Sequence, residues 1–440
     1  MMSIVTTTTI MVAMVVTIDD NGGGNDNHGG VALVVVVVAA TVMKVMAVDN
    51  GGGDVNTNAT NVKVKAMMRD HGRFHSVNLD PGFEITTLGD PTKMAMAQLT
   101  QDLIEEILSR LPVKSLMRFR CVSSTWNSLI FQAHFVKLNL QRSSRNTHVL
   151  LRCQINTVFE DMRDLPGIAP CSICSLPENP SSTVDNGCHQ LDNRYLFIGS
   201  CNGLVCLINL VARVKCGFGY DDRSDTYKVV LVLSNIKSQN REVRVHRLGD
   251  THWRKVLTCP AFPISGEKCG QPVSGIVNWF AIRKLGFDYE WETVTVDQLV
   301  IFSYDLNKEI FKYLLMPNGL SQVPRGPELG VLKGCLCLSH VHRRTHFVVW
   351  LMREFGVENS WTQLLNVTLE LLQAPLPCVI LKLLCISENG DVLLLANYIS
   401  SKFILYNKKD NRIVYTQDFN NQVPMSSHDY IQSLVLPYEN

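Results

Sequence analysis

Two sets of side chains in this sequence have types and spacings that could carry chemistry. Cys171 and Cys174 have the CxxC spacing of a zinc site, and His340, His342 and His346 lie together in "HVHRRTH". Zinc in structural sites takes four ligands, and neither a second CxxC nor a His pair follows the cysteines at a suitable distance. The histidines flank two arginines, which is typical of a solvated hairpin tip or of the rim of a binding surface. We therefore predict no metal and no cofactor.

Motifs of enzymatic catalysis are missing from the sequence. "GFGYDD" (residues 217–222) lacks the third glycine and the following helix of a dinucleotide site, and no GxSxG, HExxH or Walker pattern occurs. Cys335 and Cys337 alternate within "GCLCLS", where cysteines behave as small apolar core residues. Because no nucleophile is accompanied by a base, we predict a protein without catalytic activity. A hydrolase or isomerase on a β-propeller scaffold is the enzyme alternative.

Composition limits the partners and the compartment. The 440 residues carry a formal net charge of +1, which does not indicate the clustered basic surface that nucleic-acid binding needs. The 14 cysteines lie between Cys121 and Cys385, and no secretory signal pattern precedes them, so a reducing compartment is favoured. We expect two or three domains, a location in the cytoplasm, the nucleus or both, and no nucleic-acid partner.

The N-terminal part of the chain is repetitive. Residues 31–48 contain only two polar side chains and approach the length of a membrane span. The run lies between two similar units rich in Gly, Asn and Asp (residues 14–26 and 45–56), and Val is a poor helix former in water. We predict that residues 1–93 form a disordered low-complexity extension, with a membrane anchor as the alternative. Translation from Met94 or Met96 would remove the extension altogether.

Residues 101–131 carry many bulky apolar side chains at helical spacing. On a helix over residues 101–111 the apolar side chains share one face, opposite the charged ones. Thr100 can cap this helix and Pro112 ends it, and two more short helices are predicted over residues 114–122 and 124–131, the last one capped by Ser123 or Ser124. Three short helices rarely support a core of their own. The pattern leaves open whether a partner or the rest of this chain covers the apolar face.

The stretch "LTQDLIEEILSRLPVKSLMRFRCVSSTWNSLIFQAHFVKLNL" resembles the F-box of plant F-box proteins. The resemblance implies docking on the Skp-type adaptor of a cullin-RING ubiquitin ligase, which would connect the chain to the cullin and RING subunits. The positions that match the motif and are expected to contact the adaptor are Leu99, Leu103, Ile107, Leu108, Leu111, Pro112, Leu116, Cys121, Val122, Trp126, Leu129 and Ile130. Thr100 stands where the family usually has proline, and we expect a modest loss of affinity because threonine can still cap the helix.

The C-terminal two-thirds of the chain has the periodicity of short strands. Hairpins are predicted over residues 243–256, 298–317 and 403–416, where apolar and polar residues alternate around turn-forming segments. A glycine followed by an apolar run recurs at Gly203, Gly275, Gly334 and Gly390, spaced unevenly like a degenerate repeat. Many short strands in such units predict sheets arranged as a propeller or a related closed assembly.

The phrases "GSCNGLVCL", "GFGYDDRSDTYKVV", "YDLNKEIFKYLLMP" and "VVWLMREFGVENSWTQLLNV" resemble the F-box-associated, kelch-like interaction domain of plant proteins. The predicted fold class is therefore α+β multidomain. The predicted organisation is an extension (1–93), an all-α F-box of three short helices (94–141), a linker (142–189) and an all-β, propeller-like domain (190–436). One departure from the family lies near residues 209–217, where a strand or two of one sheet is missing, and an unpaired sheet edge is expected there.

Together these features predict a substrate-recognition subunit of an SCF-type (Skp–cullin–F-box) ubiquitin ligase. The F-box would bind the adaptor, and the β-rich domain would hold a target protein for ubiquitination. The alternatives are a membrane-anchored F-box-derived adaptor, a non-functional relic, which the shortened sheet would explain, and the propeller-scaffold enzyme. The sequence does not name the target.

Overall fold

The structure is a computed structural model of the whole chain. The residues it describes are 11–17, 32–38, 64–70, 73–79, 101–143, 148–155, 165–172, 189–190, 196–209, 214–235, 240–258, 261–263, 269–283, 290–374, 380–387, 390–397, 401–418 and 422–435. The chain divides into two compact units. One comprises residues 1–8 and 41–142, and the other comprises residues 9–40 and 143–440.

Four described strands precede the first described helix. They are β1 (Met11–Thr17), β2 (Ala32–Val38), β3 (Val64–Asp70) and β4 (Arg73–Leu79). These four segments are the described part of residues 1–93, for which the sequence predicts a disordered extension, and the rest of that range lies outside the described residues. Runs of Val and other residues of high strand propensity favour strands here, and each strand pairs with a partner. No described helix is long and apolar enough to span a membrane.

In its described residues the first unit contains four short helices where the sequence predicts three. They are α1 (Gln101–Leu108), α2 (Val113–Phe119), α3 (Ser124–Ile130) and α4 (Ala133–Arg142). Pro112 precedes α2 and accepts backbone hydrogen bonds from Ser115 and Leu116, as expected for a proline at a helix start. The predicted cap of α3 is confirmed, since Ser123 Oγ accepts a hydrogen bond from the backbone N–H of Trp126 (3.1 Å). The predicted cap at Thr100 lies outside the described residues.

The second unit is built from strands. Its remaining strands are β5 (His148–Ile155), β6 (Leu165–Ser172), β7 (His189–Gln190), β8 (Leu196–Cys201), β9 (Leu204–Asn209), β10 (Lys215–Asp221), β11 (Thr226–Asn235), β12 (Asn240–Arg247), β13 (Arg254–Thr258), β14 (Ala261–Pro263), β15 (Gln271–Val273), β16 (Ile276–Arg283), β17 (Leu299–Asp305), β18 (Phe311–Leu315), β19 (Arg325–Leu332), β20 (Cys335–His342), β21 (His346–Met352), β22 (Trp361–Thr368), β23 (Ile380–Ile386), β24 (Asp391–Asn397), β25 (Ser401–Asn407), β26 (Arg412–Asp418) and β27 (Gln422–Tyr430).

These strands form six sheets within the described part of the chain, in the arrangement of a β-propeller. From the innermost strand outward they are sheet 1 (β8, β9, β2, β1), sheet 2 (β10 to β13), sheet 3 (β14 and β15, then β16, β17, β18), sheet 4 (β19 to β22), sheet 5 (β23 to β26) and sheet 6 (β27, β5, β6, β7). The innermost strands of successive sheets contact one another, and β27 contacts β8, so the ring closes. Apolar clusters fill the space between neighbouring sheets. The all-β, propeller-like prediction is confirmed.

The recurring glycines mark equivalent turns of different sheets. Gly203, Gly275, Gly334 and Gly390 each lie between the innermost strand of a sheet and the second strand, with φ of 83°, 73°, 71° and 87°. Glycine adopts this left-handed conformation at little cost. At Gly203 space is also limited, because a Cβ there would lie 2.8 Å from the carbonyl oxygen of Ile431.

The predicted hairpins form, but two expectations about connections do not hold. β12–β13, β17–β18 and β25–β26 pair as antiparallel neighbours. Residues 142–189, for which the sequence predicts a linker, contribute β5, β6 and the start of β7 to sheet 6, where β5 pairs with the last strand β27. The unpaired edge expected near residues 209–217 is absent, because β2 pairs with β9 over Ala32–Asn209 to Val36–Val205.

Sheets 2 and 3 are joined by a network of charged side chains. Lys228 Nζ lies 2.7 Å from Asp221 Oδ2 and 3.1 Å from Glu309 Oε1, and it donates to the carbonyl oxygen of Leu306 (2.7 Å). Arg254 donates both terminal nitrogens to the Glu309 carboxylate (2.6 and 2.7 Å). The Arg254 hydrogen bonds lower the pKa of Glu309; burial raises the pKa of Asp221, but the Lys228 and Ser224 hydrogen bonds outweigh it. Both carboxylates therefore stay ionised.

Candidate partner-binding site

The helical segment combines a buried interior with an unusually apolar surface. Its buried apolar side chains come from all four helices: Leu108, Val113, Leu116, Leu129, Ile130 and Phe135. Four of the residues expected to contact the adaptor are in this interior: Leu108, Leu116, Leu129 and Ile130. Their burial places these four in the core of the free chain, and their contact with an adaptor stays a prediction. At helical spacing, an apolar side chain that supports the fold and one that meets a partner look alike in the sequence.

A buried amide from α4 holds the end of α1 in place. Asn139 Nδ2 donates to the carbonyl oxygens of Ser109 (3.0 Å) and Leu111 (3.1 Å). The last carbonyl groups of a helix have no partner within the helix, so these hydrogen bonds satisfy groups that would otherwise be left unpaired. Asn139 thereby fixes the turn that presents Leu111 and Pro112.

Ion pairs on the surface connect α1 with α4. The Glu106 carboxylate binds Arg110 (2.6 Å) and Arg142 (2.7 Å), and Glu105 Oε1 lies 2.8 Å from His134 Nε2. Hydrogen bonds from Arg110 and Arg142 lower the pKa of Glu106. These ion pairs therefore hold the surface of α1 against α4.

The most exposed apolar side chains lie on and between the helices. Leu103 on α1 is 50% exposed, Val122 in the α2–α3 turn 48% and Phe131 after α3 40%. The guanidinium of Arg120 lies 4.4 Å from the centre of the Phe131 ring, and its Nε donates to Asn127 Oδ1 (3.1 Å). The cation–π contact holds the Phe131 ring at the surface while one face of the ring is covered.

We use "α2–α3 surface" for Phe119, Cys121, Val122, Trp126 and Phe131. Phe119 and Trp126 meet edge to face with ring centres 5.7 Å apart, and both are half-buried, whereas Cys121, Val122 and Phe131 are exposed. Exposed aromatic and aliphatic side chains at one place on a small helical unit are typical of a protein–protein contact. Phe131 belongs to this surface although the motif match did not select it; its place as the last apolar residue of the third predicted helix was the available signal.

The remaining predicted contact residues divide by exposure. Pro112 and Leu103 are both exposed. Ile107 and Leu111 are half-buried, and Leu99 lies outside the described residues. Those that reach the surface are thus Leu103, Ile107, Leu111, Pro112, Cys121, Val122 and Trp126.

The described side chains considered for metal binding lie in β6 and in the β20–β21 hairpin. Cys171 is buried in β6, and Cys174 lies outside the described residues. Arg343 and Arg344 form the exposed turn between β20 and β21, as the hairpin interpretation predicts, while His340 is buried and only 2% exposed. Burial lowers the pKa of His340 from 6.5 to about 4. In the described segments no three His, Cys, Asp or Glu residues are grouped so that they could hold a metal ion.

Comparison with known proteins identifies the two units. A family model described as "F-box associated beta propeller domain" matches residues 198–436, and one described as "F-box domain" matches residues 96–137. The chain belongs to the plant F-box proteins. The F-box/kelch-repeat protein At3g23880 of Arabidopsis thaliana is 30% identical over 304 residues, which cover 61% of this chain and 79% of that protein. The F-box protein CPR1 of the same plant is 24% identical over 311 residues, covering 62% and 73% of the two chains.

The family match assigns a role to each part of the structure. α1 to α4 correspond to the F-box, and residues 198–436, which supply the strands from β9 to β27, correspond to the associated propeller. F-box proteins are generally adaptors without catalytic activity. The α2–α3 surface is therefore a candidate docking surface of an adaptor protein.

Proposed function

We propose that this chain is the substrate-recognition subunit of an SCF-type ubiquitin ligase. Its F-box binds a Skp-type adaptor, which links it to the cullin and RING subunits, and the propeller binds a target protein. The observation that carries the proposal is the exposed α2–α3 surface on the F-box, on the same chain as a closed propeller that offers a rigid scaffold for binding loops.

The contribution of such a subunit to the reaction is proximity. A target held on the propeller has a high effective concentration near the ubiquitin-loaded enzyme, which other subunits supply. The chain then needs no catalytic group of its own. We place the protein in the cytoplasm, the nucleus or both, as the cysteine usage suggests.

Co-purification of the full chain with a plant Skp adaptor tests the proposal. Val122→Asp and Phe131→Ala change exposed side chains of the α2–α3 surface, so both variants are expected to fold and to lose adaptor binding by roughly tenfold or more each. Ile310→Asp is the matched control, because Ile310 is an exposed apolar residue of the propeller. A folded parent chain that fails to bind the adaptor, or equal binding by all variants, would refute the proposed role.

A further inference from the structure

Sheet 1 of the propeller is completed by strands from far away in the sequence. In sheets 2, 4 and 5 each strand is followed along the chain by its neighbour in the sheet. In sheet 1 the third and fourth places are held by β2 and β1, although β9 is followed directly by β10, the first strand of sheet 2. Only residues 210–214 separate β9 from β10, too few to form two more strands.

β9, the strand that pairs with β2, is apolar at every residue except the last. Leu204, Val205, Cys206, Leu207 and Ile208 of β9 are all buried and belong to the apolar cluster shared with sheets 2 and 6. Without a neighbour, the outer edge of β9 would present a row of unpaired backbone groups beside this apolar strand. Such an edge recruits another strand, either from the same chain or from another molecule.

The segment that supplies the cover matches this environment. β2 reads "ALVVVVV" and pairs antiparallel with β9 from Ala32–Asn209 to Val36–Val205. β1 reads "MVAMVVT" and pairs with the other edge of β2 from Met11–Val38 to Thr17–Ala32. A short continuous apolar run can form a strand as well as part of a helix, and residues 32–38 of the run at 31–48 form such a strand.

We propose that the outer edge of β9 is a strand-binding site whose occupant is the β1–β2 hairpin of the same chain. The F-box then lies in the sequence between two parts of the propeller unit, residues 9–40 and residues 143–440. The propeller is complete only when residues 11–38 are present, and a chain begun at Met94 has an open edge at β9. This proposal does not rest on the proposed ligase function.

A disulfide in the full chain tests the register. Val35 is directly opposite Cys206, and opposite residues of an antiparallel pair lie at Cα distances of about 4.5–5.5 Å, within the range of a disulfide. Val35→Cys should form an intrachain bond to Cys206, with oxidised glutathione accepting the two electrons. Because burial raises the pKa of the Cys206 thiol, oxidation is carried out in a glutathione buffer during folding.

Val34→Cys is the matched control, because position 34 is opposite Leu207 and a one-residue shift moves the side chain to the other face of the sheet. Non-reducing electrophoresis and mass spectrometry of linked peptides identify the bond. A 35–206 bond within one chain, without a 34–206 bond, supports the proposal. Equal linking of both variants, no linking, or a bond between two chains would overturn it, the last by placing the hairpin of a second copy on β9.

Hydrogen exchange gives a second measurement that needs no variant. In the parent chain the amides of Ala32–Val38 and of Leu204–Asn209 should be protected together, and free exchange in Ala32–Val38 would overturn the proposal. Val34→Pro with Val36→Pro removes two β2 donors and should speed exchange in β9 by roughly tenfold or more. Val45→Pro with Val48→Pro changes residues outside the described strands and should leave the exchange rates of the β9 amides unchanged.

Discussion

The buried amide of Asn139 is expected to decide whether the F-box is folded. Asn139→Ala removes both donors to the carbonyl oxygens of Ser109 and Leu111, at 3.0 and 3.1 Å in the structure. Each lost hydrogen bond costs about 0.5–1.5 kcal/mol, and about 1–3 kcal/mol where the remaining buried group stays unpaired. The expected loss for the variant is therefore about 2–4 kcal/mol. A helical segment this short rarely gains more than about 3–5 kcal/mol from its core.

Hydrogen exchange on the full chain separates the F-box from the propeller. In Asn139→Ala the amides of α1 to α4 should lose most of their protection while those of the propeller strands keep theirs, and adaptor binding should fall with the helix protection. His134→Ala is the control on the same helix, since it removes only the exposed contact with Glu105, worth up to about 1 kcal/mol. Full helix protection and parental adaptor binding in Asn139→Ala would refute the reasoning.

Three further predictions concern stability. Burial lowers the pKa of His340 from 6.5 to about 4, so between these values the unfolded chain binds a proton that the folded chain does not, and stability falls as the pH falls. Urea titrations at about pH 7.5 and about pH 5 measure how much the free energy of unfolding falls between the two pH values. This fall should be about 2 kcal/mol smaller in His340→Gln than in the parent chain, and an equal fall in both chains would contradict this origin. Lys228→Met leaves the buried Asp221 carboxylate without its cation and should cost about 3–5 kcal/mol in urea unfolding of the propeller, whereas a cost below about 1 kcal/mol would mean that Ser224 and backbone donors suffice. Ser123→Ala removes the cap on the Trp126 N–H and should destabilise the F-box by about 1 kcal/mol, with Ser123→Thr restoring most of it; identical helix exchange in Ser123→Ala would argue against the cap.

Features that depend on neighbouring residues could be predicted from the sequence. The cap at Ser123, the helix start after Pro112 and the hairpin turns are local, because the residues that determine them are close along the chain. The glycine repeat is also local, and its four glycines lie in the inner turns of sheets 1, 3, 4 and 5, where the backbone has a positive φ.

Features that depend on distant residues could not be predicted. β5 and β27 pair across most of the chain, and β2 pairs with β9 across the whole F-box, so no pattern within either strand names its partner. α4 was missed for a different reason. Its central polar residue, Asn139, is buried, and a sequence pattern reads a polar residue as exposed unless its hydrogen-bond partners are known.

The candidate docking site shows the same division. The motif match located the F-box, but composition and spacing do not separate the core residues Leu116 and Ile130 from exposed ones such as Val122. Core and exposed residues can be told apart only when the packing of α4 is known, because α4 covers one side of the other helices. Phe131 is exposed because Arg120 holds its ring at the surface, and a contact of this kind is invisible in the order of residues.

A shortened chain allows adaptor binding by the F-box and completion of the propeller by β1 and β2 to be tested separately. A protein that begins at Met94 keeps α1 to α4 and should still bind the adaptor, but it lacks β1 and β2, so the apolar strand β9 becomes an edge. Such a protein would be expected to self-associate through β9 and to lose propeller-dependent binding while adaptor binding remains. Insolubility of the shortened protein would therefore indicate an incomplete propeller and would carry no weight against the ligase role. Adaptor binding must accordingly be judged on the full chain, where the residues that complete sheet 1 are present.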